Sequence, residues 1–219
     1  MTLARPHAAL VALLALALAG AATRAGAADD DWVEQKASTK DFVFSLRFGS
    51  EAVRPGASGA PTRLRIVRRQ TGRVLQEIAI AEAYPVGVEP DGRIQVVDAN
   101  RDGRPDIDLY AMSGGAGPND SHDFYLFDTR LGKFKLDEKL SALSQVEFHR
   151  DGRITSSYRG GCCDHTDQTW RYVGRRLVLV ESLGERVDGD VVVTTRGKLV
   201  GGKMRYAVRK TAVASEAAR

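Results

Sequence analysis

The stretch Asp98-Ala99-Asn100-Arg101-Asp102-Gly103-Arg104-Pro105-Asp106-Ile107-Asp108 carries the densest set of side chains able to do chemistry. Oxygen-bearing side chains recur at alternate positions, Asp98, Asn100 and Asp102. Gly103 follows, and Asp106 comes soon after. A hard cation such as calcium takes roughly six to eight oxygens from a compact loop. Alternate residues of a tight turn direct side chains to one centre, and Gly103 allows the sharp bend. Arg104 would offer its backbone carbonyl, and Asp106 a further carboxylate. The spacing therefore predicts a calcium loop of Asp98, Asn100, Asp102, Arg104 and Asp106. A solvated acidic turn is the alternative.

The same Asp-Gly-Arg tripeptide occurs at 91–93 and 151–153 and serves as an internal control. Around Asp91 the equivalent positions hold Gly87, Glu89 and Gln95; around Asp151 they hold Glu147, His149 and Thr155. Neither keeps the oxygen set, so both read as plain turns. Leu109 stands where an EF-hand loop places its bidentate Glu, and apolar, strand-like residues flank the loop in place of helices.

A second segment, Ser156-Ser157-Tyr158-Arg159-Gly160-Gly161-Cys162-Cys163-Asp164-His165, combines polar, cationic and sulfur side chains. Adjacent cysteines seldom reach one ion together. A vicinal disulfide, free or partner-linked thiols, and a metal site all remain open here. The histidines and serines form no nucleophile-elbow pattern, so no catalytic residue is assigned and no enzymatic activity is expected. Arg63, Arg65, Arg68 and Arg69 read as a solvated strand face, or as a dock for an acidic partner.

The elements that must position these residues are strands. Phe42, Phe44, Leu46 and Phe48 alternate with Val43, Ser45 and Arg47. Residues 63–66 repeat the alternation and turn through 70–73 into 74–80. Further strands are expected at 93–97, 124–128, 145–149, 153–158, 169–173, 176–181, 191–195 and 203–210. Loops are expected at 54–61, 89–92 and 113–120, and one helical turn at 137–143. About ten short antiparallel strands result: an all-β single domain over 28–211, with a disordered tail at 212–219. Alternation alone leaves sandwich, barrel and radial blades open.

Residues 1–27 read as a signal peptide: Arg5 and His7, an apolar run from Ala8 to Ala19, then Ala25-Gly26-Ala27 before the cut. The apolar run falls short of the roughly 20 residues that span a bilayer. The mature chain is then expected to be periplasmic or secreted, without a membrane span. The whole chain of 219 residues has 32 Lys+Arg against 28 Asp+Glu. Removing Arg5 and Arg24 leaves 30 − 28 = +2. With that balance, and no dense basic stripe interleaved with aromatics, nucleic acid is not expected as a partner. The two cysteines are neighbours, which excludes a disulfide scaffold.

Several blocks then follow in an order that resembles a known family. These are Val97-Asp98 through Leu109, Gly114-Gly115, Phe124-Tyr125-Leu126-Phe127-Asp128, Lys133-Phe134 and Arg153-Ile154-Thr155-Ser156. The loop is similar to those of VCBS/FG-GAP-type and integrin-like repeats. The wider chain, from about Arg93 to Val180, resembles exported bacterial calcium-loop proteins. These include type IV secretion immunity proteins that inhibit lysozyme-like effectors. The resemblance implies a small, distorted β-propeller-like fold, with a β-sandwich as the alternative. It further implies calcium as cofactor and a cell-wall hydrolase as partner, inhibited by occlusion of its cleft. Ser156, Ser157, Tyr158 and Arg159 are the residues expected to enter that cleft. A calcium-stabilised structural or adhesive envelope module is the competing reading.

Overall fold

The computed structural model describes residues 31–49, 58–81, 83, 85–87, 93–114, 117 and 119–213. The expected signal peptide and the turn at 89–92 lie outside the described residues. The described chain is all-β, in three antiparallel sheets of four, four and six strands, and no barrel closes.

The first sheet orders β1 (Trp32–Glu34), β2 (Phe42–Phe48), β4 (Pro61–Arg68) and β5 (Val74–Ala79) side by side. A two-residue pair, β3 (Ser58–Gly59) with β6 (Val86–Gly87), stands beside it as a separate ladder. The second sheet runs β10-β9-β8-β7, from β7 (Ile94–Val97), β8 (Asp106–Gly114), β9 (Asn119–Asp128) and β10 (Lys133–Leu136). The short helix α1 (Glu138–Ser141) follows, capped by the Asp137 side chain, which accepts from Leu140 N. The third sheet is a meander in chain order. It holds β11 (Glu147–Phe148), β12 (Ile154–Arg159), β13 (Asp164–Val173), β14 (Arg176–Asp188), β15 (Val191–Val200) and β16 (Lys203–Ala212).

The second sheet is the middle layer, because its strands alternate between two apolar cores. Ile107, Leu109, Tyr125 and Phe134 join Phe42, Phe44, Leu46, Leu64 and Ile66 of the first sheet in one cluster. Phe124 and Leu126 face the other way, into a cluster with Leu140, Ile154, Trp170 and Leu177. A period of two buries both faces of one sheet only when each face meets a partner layer. Polar side chains tie the layers as well. Gln76 of β5 donates to the Phe134 carbonyl and accepts from Phe134 N, both at 3.0 Å. Tyr172 donates to Asp137 at 2.6 Å, and Lys139 donates to the Leu177 carbonyl at 2.8 Å. Asp128 accepts from Arg175 at 2.7 Å and from Arg130 N and Leu131 N, which hold its carboxyl below the usual carboxylate range.

The expected strands are present, but several are longer. The residues read as 169–173, 176–181 and 191–195 belong to strands of ten, thirteen and ten residues. Pro61 opens β4 instead of closing a loop, and Ala212 pairs with Val191 instead of starting a tail. The glycine-rich loop is shorter than 113–120, because β8 runs to Gly114 and β9 starts at Asn119. No helix among the described residues is long and apolar enough to cross a membrane.

Phe124 is 1% exposed, stacks on His122 and meets Phe148 edge-on. Phe124→Ala should therefore cost about 3–5 kcal/mol in urea unfolding. A loss below about 1 kcal/mol would mean that the middle and third sheets are not held by this cluster.

Candidate functional site

The acidic loop connects β7 to β8, whose pairing brings Val97 opposite Asp106. Its turn is closed by its own backbone. Asp102 N donates to Asp98 Oδ1 and Asn100 Oδ1, each at 3.0 Å. Gly103 N donates to Asp98 Oδ2 at 3.1 Å, and Arg104 N to Asp102 Oδ1 at 2.9 Å. Gly103 has φ +78°, a left-handed conformation that glycine adopts without a Cβ penalty. Arg101 shares that region at φ +59° and reaches across to donate to the Arg150 carbonyl at 3.0 Å. The loop is thereby fastened to the turn ahead of β12.

Asp106 is the buried member of the set. It is 0% exposed, and its two oxygens accept from Ala99 N at 3.0 Å and Phe127 N at 2.9 Å. Burial pushes its carboxyl up to about 7; the two N–H donors oppose the rise, and the neighbouring Asp102 and Asp98 charges add to it. These charges show that the three carboxylates share one locality. None of them makes an ion pair with Lys or Arg among the described residues. Asn100 Nδ2 donates to Asp102 Oδ2 at 3.2 Å. No group of three His, Cys, Asp or Glu side chains in metal-holding geometry occurs among the described residues. The donor set still suits a hard cation in chemistry. It consists of oxygens alone, it carries uncompensated negative charge, and each N–H occupies only one lone pair of its acceptor. Asp108 stands apart, on β8, with its carboxylate against His122 Nδ1 at 2.5 Å.

The second segment divides on inspection. Ser156 is 4% exposed, accepts from Trp170 Nε1 at 3.2 Å and donates to Gln168 at 3.4 Å. It therefore secures the core and presents nothing to a partner, a correction to its expected place in the contact set. Ser157 donates to Asp167 at 2.6 Å across the β12–β13 ladder. Tyr158 is 52% exposed and Arg159 is exposed as well. The chain there is held firmly: Asn119 of β9 accepts from Arg159 N and donates to the Arg159 carbonyl, both at 2.9 Å. Gly160 N closes the hairpin on the Asp164 carbonyl at 2.9 Å. Cys162 and Cys163 are joined to each other in the turn, so neither sulfur is left for a metal. Asn119 was not singled out in the sequence, where it sits in a glycine-rich loop far along the chain from its partner.

Of the basic run, Arg65 bonds Glu77 at 2.8 Å and stacks on Trp32, and Arg69 donates to the Thr39 carbonyl and Ser38. Arg68 lies over Phe42, and Arg63 stands 3.8 Å from Glu77. The run is taken up by contacts inside the first sheet, which leaves little of it for a dock.

No family model matches the chain, and no curated protein matches it. Among solved structures, its fold is similar to that of a Xanthomonas type IV secretion system related protein. The TM-score is 0.59 at 20% identity, over 82% of this chain and 94% of that one.

Removing the Asp106 carboxylate would strand two buried N–H donors, whereas Asp102 serves an exposed turn. Measured in chelator, Asp106→Ala should lose roughly 2–4 kcal/mol and Asp102→Ala about 1 kcal/mol or less. Equal losses would contradict the structural role given to Asp106.

Proposed function

We propose that this chain is an exported, periplasmic or secreted protein that inhibits a peptidoglycan-cleaving, lysozyme-like enzyme by occluding its cleft. The observation that carries the reading is the exposed Tyr158-Arg159 end of β12, clamped by Asn119 beside a disulfide-locked turn. An inhibitory plug needs side chains that project and a backbone that does not yield, since ordering a loose segment on binding weakens affinity. Clefts that hydrolyse glycosidic bonds carry paired carboxylates. A tyrosine ring and a guanidinium on one rigid strand end match such a cleft in shape and charge. The fold likeness to a type IV secretion system related protein supports the setting. The protein performs no chemistry of its own in this reading.

Calcium belongs to the same proposal as a structural ion. Asp98, Asn100, Asp102 and Asp106 would hold it with their side chains, and Arg104 with its carbonyl. The ion would offset three clustered negative charges. This chain's own contribution is to pin the loop from both sides, through Asp106 to Phe127 N and through Arg101 to the Arg150 carbonyl.

The test is lysis of purified cell wall by hydrolases encoded beside the gene, with and without this protein. Tyr158→Ala and Arg159→Ala should each weaken inhibition about tenfold while leaving the melting temperature unchanged. Calcium at a hundredfold excess over its dissociation constant should stabilise by about 2.7 kcal/mol, and Asp102→Ala should remove the gain. Wall cleavage by the protein alone, or inhibition of none of the hydrolases, would overturn the inhibitor reading. Identical melting in chelator and in calcium would remove the ion.

A further inference from the structure

The last two strands have a one-signed charge that the rest of the molecule does not share. Residues 191–213 include Arg196, Lys198, Lys203, Arg205, Arg209 and Lys210, and no Asp or Glu. Elsewhere several cations find acids: Arg47 with Asp31, Arg65 with Glu77, Arg153 with Asp151, Arg175 with Asp128. Of the six, only Lys198 does so, with Glu181 at 3.7 Å and both side chains largely in solvent. The other five have no ionic partner among the described residues.

Register then gathers them. Lys198 pairs with Arg205, Arg196 with Ala207, Thr194 with Arg209 and Val200 with Lys203. Because side chains alternate along a strand, Arg196, Lys198, Lys203, Arg205 and Arg209 share one face of the sheet. That face is concave. A groove of about 720 Å³ is lined by Arg196, Lys198 and Arg205 on one side and by Asp167 and Glu181 on the other, with Leu183 in its floor. Tyr206, 60% exposed, belongs by alternation to the opposite face. Its ring lies over Gly197, where an added Cβ would come within 2.7 Å of Tyr206 Cε1.

We propose that this groove binds an extended acidic segment of a protein partner, whose carboxylates pair with Arg196 and Arg205. Arg196, Lys203, Arg205 and Arg209 stand on that face with no ionic partner among the described residues, beside Lys198, and a carboxylate-bearing ligand relieves their mutual repulsion. A guanidinium binds a carboxylate in a two-pronged arrangement. The acidic far rim, Asp167 and Glu181, confines the attraction to the Arg196–Arg205 side, which suits a single strand carrying carboxylates along one edge better than a continuous polyanion such as a lipid surface or a nucleic acid. Nucleic acid is disfavoured again because Tyr206, the one aromatic residue among those lining the groove, turns its ring over Gly197 to the opposite face, away from bases that would need to stack. The proposal is independent of the hydrolase reading, and the probe contains no enzyme.

The probe is a fluorescein-labelled peptide of alternating Glu and Val, followed by anisotropy. Vesicles of phosphatidylglycerol and a short DNA duplex are run in parallel. The peptide should bind, lose affinity as salt rises, and bind about tenfold more weakly to the Arg196→Gln/Arg205→Gln variant. Arg130→Gln, an exposed arginine on the β9–β10 turn, should bind as the unaltered protein does. Both groove arginines are exposed, so the variant should keep its melting temperature. Absence of peptide binding, equal binding by the groove variant, or tighter binding of vesicles or duplex than of peptide would overturn the proposal.

Discussion

The buried carboxylate of Asp106 is the constraint on which the rest of the arrangement depends. It sits at the first residue of β8, where the loop rejoins the middle sheet, and bonds one N–H from each side. Ala99 N belongs to the loop and Phe127 N to β9, so one side chain fixes how the loop leaves the sheet. A carboxylate so placed is costly, because burial opposes its charged form. It persists because removing it would leave two donors without acceptors in the same enclosed space. Everything that the loop does, with or without an ion, starts from that anchorage.

The layers on either side are joined by a few long-range polar bonds more than by continuous ladders. Gln76 makes β5 and β10 behave locally like neighbouring strands, and Asn119 does the same for β9 and the end of β12. Side-chain amides suit this role because each carries both a donor and an acceptor, as a peptide group does. The exposed end of β12 therefore owes its fixed position to the middle sheet.

What could be read from the residues was local. The Asp98–Gly103 turn was legible because its bonds span five residues or fewer. The alternation of Phe42, Phe44, Leu46 and Phe48 was legible because that strand faces one core. Ser156 was misplaced for the opposite reason. Its neighbours at 154 and 158 are apolar or aromatic, yet only the approach of Trp170 decides that it lies inside. Strands β13 to β15 were read short because their far halves leave both cores, so no apolar period marks them. The absence of a basic stripe was a fair reading of the linear order. The cations come together only when β15 and β16 are placed in register, across the Gly201-Gly202 turn.

That same extension beyond the cores divides the molecule in stability. Val193 is buried on β15, whereas β16 has no buried residue, and among the described residues no strand pairs with its outer edge. A strand so held can detach without disturbing either apolar cluster. Amide hydrogens along β16 should then exchange through local opening at a fraction of the global free energy, while those of β8 and β9 wait for complete unfolding. The terminal hairpin thus forms a cooperative unit of its own, and a ligand seated on it would slow the exchange of that unit first.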